Sequence, residues 1–101
     1  MTGESYRFLF KRSAVLEEAE LTLHLATFAV EGLVGQARVR LDARYHIDAP
    51  QRIITVYAEN EVGCTLVRVF TGLLLREFGA QAFRVQRLRK PGPTGARGRA
   101  A

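Results

Sequence analysis

One cysteine, Cys64, stands in the whole 101-residue chain, so no internal disulfide holds the fold and a reducing, cytoplasmic setting is expected. No apolar stretch runs far enough to span a bilayer: residues 21–34 are broken by Thr22, His24 and Glu31, and residues 62–78 by Arg68 and Arg76. No membrane partner is expected. The start, MTGESYRF, is polar and lacks a basic segment leading into an apolar one, so an export leader is not expected either.

Chemistry-bearing motifs are equally scarce. The two histidines, His24 and His46, form no HxH, HxxxH or HxxE spacing, and there is no CxxC pair, so neither a metal nor another cofactor is expected. A phosphate cradle needs glycines where a strand turns into a helix, so that backbone N–H groups can face the anion. The two such turns read KRSAV and AENEV. The second carries Glu59 and Glu61, which repel phosphate; the first offers Lys11, Arg12 and Ser13 beside an ordinary helix start. The glycine-rich basic loop that acylphosphatases place after their first strand is missing, and RIITVYA lacks the Gly-Phe pattern of an RNA-recognition domain. Cys64 falls in the first turns of a helix, a setting that reactive thiols use, but neither histidine is spaced to act as its base. It reads as a small residue packed at a helix edge. Asp42, Asp48, Glu59 and Glu61 read as turn, cap and surface groups. No catalytic residue is assigned, and the chain is not expected to be an enzyme.

What the chain does hold is an ordinary globular balance, 48% hydrophobic and 25% charged, enough for one core in one domain over residues 1–88. Its net charge of +5 is unevenly placed. Residues 1–86 carry ten basic and ten acidic side chains, a balance of zero, and the excess is Arg87, Arg89, Lys90, Arg97 and Arg99. A neutral body with a basic tail argues less for nucleic acid than a basic body does.

The stretch with both ends marked is 60–79. Asn60 is a good N-cap, Glu61 suits the positive end of the dipole, and Gly79 suits the C-terminal stop. Between them Val62, Leu66, Val69, Phe70, Leu73, Leu74 and Phe78 share one helical face, with Leu66, Phe70, Leu73 and Leu74 expected in the core. Upstream, residues 6–11 alternate Tyr6, Phe8 and Phe10 against Arg7, Leu9 and Lys11, the period of a half-buried strand. Ser13 is placed to cap a second helix, with Leu16, Ala19, Leu23, Ala26, Val30 and Leu33 on its inner face and Gly32 or Gly35 as its end. Residues 21–25 also alternate, which leaves a strand over 20–30 as the alternative; VLEEAEL favours helix, and a crossover is needed there.

Residues 36–47 alternate Ala37, Val39, Leu41, Ala43, Tyr45 and Ile47 against Arg38, Arg40, Asp42, Arg44 and His46, which predicts a second strand. A turn at 48–51 with Pro50 would join it to a third, RIITVYA, and residues 82–88 make a fourth. Residues 89–101 hold no large apolar side chain and are expected to form a disordered basic tail. The order β-α-β-β-α-β predicts an α+β, ferredoxin-like split βαβ sandwich: a four-stranded antiparallel sheet with two helices on one face. The alternative is β-β-β-β-α-β.

In that sandwich the face away from the helices would gather Arg7, Leu9 and Lys11, then Arg38, Arg40 and Arg44, then Arg84. The function expected is that of a small interaction module, forming a homo-oligomer or docking on a larger protein through the sheet face or an edge strand. The alternative is a nucleic-acid-binding accessory protein using the same face and the basic tail: Arg87, Arg89, Lys90, Arg97 and Arg99.

Overall fold

The apolar side chains of Glu4–Phe10 (β1) fall at every second position, Tyr6, Phe8 and Phe10, which turns one side of the strand toward a core. β1 lies between Ile53–Ala58 (β3) and Phe83–Arg89 (β4), antiparallel to both, and Tyr45–Asp48 (β2) pairs with the far side of β3; the helices are Ser13–Val34 (α1), Gln36–Asp42 (α2) and Glu61–Phe78 (α3). The computed structural model, which describes residues 3–89, is therefore an α+β chain with a four-stranded antiparallel sheet in the order β2-β3-β1-β4 and three helices.

The core lies between the sheet and the helices. Phe8 meets Phe70 edge to face with ring centroids 4.8 Å apart, and Phe83 stands 6.4 Å from Phe8 and 6.1 Å from Phe10. Edge-to-face pairs of this kind add about 0.5–1.5 kcal/mol beyond the area they bury. Ile54 and Val56 of β3, Leu16, Leu23 and Val30 of α1, and Val62, Leu66 and Leu74 of α3 complete it.

α3 has the two ends its sequence marks. Asn60 Oδ1 accepts from the Gly63 N–H at 2.8 Å, and Gly79, at φ 82°, closes the helix with its N–H on the Leu75 carbonyl. Leu66, Phe70 and Leu74 are buried, whereas Leu73, expected beside them, is only partly so. A 100° step per residue carries it to the margin of the stripe.

α1 is a single helix through residues 20–30, with no strand there, and it ends at Gly35 (φ 99°), not at Gly32. Ser13 is its first helical residue and caps nothing; Arg12 occupies the N-cap without a side-chain bond. Leu33, expected on the inner face, is exposed.

The largest departure from the sequence expectation lies at residues 36–44. Gly35 breaks α1 and the chain at once restarts as α2, so the second strand is only Tyr45–Asp48. Gln, Ala, Arg and Leu are strong helix formers, and their alternation with apolar neighbours imitates a strand period over so short a run. Val39 alone of α2 enters the core, and Leu41, the supposed inward partner, is 80% exposed.

Candidate interaction site

Because antiparallel partners share a side of the sheet, the register fixes what the uncovered face presents. His46, Thr55, Arg7 and Gln86 form one row across the four strands. Asp48, Ile53, Leu9 and Arg84 form the next, and Tyr57, Ser5 and Leu88 the row on the other side. The neighbouring rows, which contain Phe8 and Ile54, face the helices. A shallow depression of about 290 Å³ opens on this face, lined by Ser5, Arg7, His46, Asp48, Gln51, Ile53, Thr55, Tyr57 and Leu88.

Seven residues were expected here, and five remain on or beside the face. Arg7, Leu9 and Arg84 lie in the strands, and Lys11 follows the end of β1. Arg44 sits at the corner: its carbonyl accepts from the Tyr57 N–H at 3.0 Å, and its guanidinium lies 5.0 Å from the Tyr57 ring centroid and 3.2 Å from Glu59. Arg38 and Arg40 do not belong to the face, because α2 carries them in the helical layer, where Arg38 reaches Glu61 at 3.4 Å. Arg7 and Arg84 are exposed, and neither forms an ion pair with any described residue.

The basic tail also needs correction. Arg87 and Arg89 belong to β4 and converge on one carboxylate: Glu4 Oε2 accepts from Arg87 at 2.5 Å and from Arg89 at 2.6 Å. The hydrogen bond from Arg87, then that from Arg89, holds the Glu4 carboxyl below its ordinary range, and the same contact raises Arg87. Lys90, Arg97 and Arg99 lie outside the described residues.

A second surface appears on the opposite side of the molecule. Leu21, Leu25 and Phe28 of α1 are 65%, 56% and 64% exposed, and their i, i+4, i+7 spacing stacks them opposite the buried Leu16, Leu23 and Val30. The stripe borders a groove of about 560 Å³ between α1 and the end of α3, lined by Glu18, Leu21, Thr22, Leu25, Glu77 and Phe78. Thr22 is buried at its base, with its hydroxyl donating to Glu77 Oε1 at 2.5 Å and pinning the two helices together. The Asp, Glu, Lys and Arg side chains of α1 are all glutamates: Glu17, Glu18, Glu20 and Glu31. This stripe was legible as residues 21, 25 and 28 at helical spacing, but a search for one inner face passes over it.

Cys64 is exposed, with Sγ 3.8 Å from the Ala58 carbonyl, so it is not the packed residue expected. Among the described residues no group of three or more His, Cys, Asp or Glu is placed to hold a metal ion, and no helix is long and apolar enough to cross a membrane. No family model, curated protein or solved structure matches the chain.

Proposed function

We propose that this chain is a small, non-enzymatic interaction module of ferredoxin-like design that binds protein through its open sheet face. The strand order β2-β3-β1-β4, with β1 and β3 central, supports the design, and α2 is then an added helix in the first crossover. The observation that carries the function is the second row of the face: Leu9 and Ile53 make an apolar centre, with Arg84 at one end, Arg7 in the adjoining row, and no ion pair on either arginine among the described residues. A partner supplying apolar side chains and carboxylates satisfies both parts of that surface.

The nucleic-acid alternative loses support from the positions of its cations. Arg38 and Arg40 stand on α2, Arg44 is paired with Glu59, and Arg87 and Arg89 share Glu4, which leaves too few free cations on the sheet for a backbone-tracking platform.

The test is a photo-crosslinking amino acid at position 9, installed in the full chain in its native cells, with position 68 on the exposed side of α3 as control. Protein adducts at position 9 above the control are expected. Adducts to nucleic acid would move the assignment to the alternative, and equal yields at both positions would remove the face as a binding site.

A further inference from the structure

We propose that the outer stripe of α1 docks on the open sheet face of a second copy of this chain, an inference that rests on the interaction-module reading and names its partner. A helix that is apolar on two opposite sides is ordinarily covered on both, and α1 has the core on one side while no described residue covers the other.

Charge selects the occupant. The Asp, Glu, Lys and Arg side chains of α1 around Leu21, Leu25 and Phe28 are all glutamates, with His24 beside them, so the matching surface needs an apolar centre with cations around it. The open sheet face supplies that centre in Leu9 and Ile53, with Arg7 and Arg84 on the side of β1 and β4 and one carboxylate, Asp48, at the far end of the row. Two α1 stripes laid against each other would instead set the glutamates of one rim beside those of the other, and like charges facing across an interface oppose binding. The contact therefore joins two different surfaces, helix on sheet, the layer contact that the core already uses. Each assembled pair still has one free stripe and one free sheet face, so assembly continues with concentration into a ring or a chain.

Light scattering on the purified full chain, with two surface variants, tests this. Leu21→Ser with Phe28→Ser removes the stripe, and Arg7→Glu with Arg84→Glu reverses the cations; all four side chains are exposed, and circular dichroism verifies that each variant folds. The expected result is a wild-type mass that rises with protein concentration and falls at high salt, two variants that each stay at the 11.3 kDa of one chain, and an equal mixture that forms a species of two chains. The mixture is decisive, because only unlike surfaces restore each other. A mixture that stays monomeric, a sheet variant that assembles as wild type does, or a wild-type chain monomeric at every concentration overturns the proposal. A crosslinker at position 25 in otherwise wild-type chain gives an independent measurement, with peptides from β1, β3 or β4 of a second copy expected and peptides from α1 opposing the idea. If the chain stays monomeric while position 9 still captures another protein, the interaction-module reading survives and the second copy is excluded.

Discussion

Gly63 packs against the backbone of Tyr57 so closely that a Cβ added there would overlap the Tyr57 carbonyl oxygen and lie 3.1 Å from the Ala58 Cα. This is where α3 crosses the end of β3, and the obstructing atoms are backbone, which no rotamer change relieves. Gly63→Ala gains helix propensity, about 0.5–1 kcal/mol, but forces the helix off the sheet. A net loss of about 1–3 kcal/mol, the usual cost of overpacking, is expected in denaturant melts. Equal or higher stability would show that α3 shifts freely at this crossing.

Two adjacent leucines of α3 separate core from margin. Leu74 is fully buried and Leu73 only partly, so Leu74→Ala should cost about 2–5 kcal/mol and Leu73→Ala clearly less. Urea melts of the pair check the rotation of the helix. Similar losses, or a larger one at Leu73, would mean that α3 presents another face to the sheet.

Asn60 does two jobs at one corner: it caps α3 through Gly63, and its Nδ2 donates to the Asp42 carbonyl at the end of α2 at 3.0 Å. Asn60→Ala should cost about 0.5–2 kcal/mol for the cap. Asn60→Asp keeps the acceptor and loses the donor to Asp42, so hydrogen exchange should quicken at the end of α2 while the first turn of α3 stays protected. Unchanged exchange at α2 would make that second bond irrelevant.

The Glu4 carboxyl, held below its ordinary range by Arg87 and then Arg89, contributes stability above its unfolded pKa and loses it as pH falls through the folded one. The melting temperature of the wild type should therefore exceed that of Glu4→Gln at neutral pH, and the gap should close as pH drops below the ordinary glutamate range. Salt should narrow it as well, since both arginines are exposed. A gap that holds constant through the acid range would show that Glu4 acts by packing and not by charge.

What the sequence determined by itself is the set of local patterns strong enough to need no neighbour. α3 carries a cap, a stop and an apolar stripe, and β1 carries clean alternation, so their existence and their inward faces follow from residue order alone; β3 reads as a strand from its β-branched residues, but only the structure turned Ile54, Val56 and Ala58 inward. Tertiary structure decided the rest. Residues 36–42 fit either period, and a glycine at φ 99° with room for just one core residue, Val39, made them helix, which took Arg38 and Arg40 off the sheet. The antiparallel register of β1 with β4 brought Arg87 and Arg89 to Glu4, more than eighty residues away in the chain, and so took Arg89, the first residue of the expected tail, into the paired strand. On α1 the spacing marked the inner face, of which Leu16, Ala19, Leu23, Ala26 and Val30 are buried and Leu33 is not; that no described residue covers the opposite stripe of Leu21, Leu25 and Phe28 was decided by where the sheet and α3 came to lie.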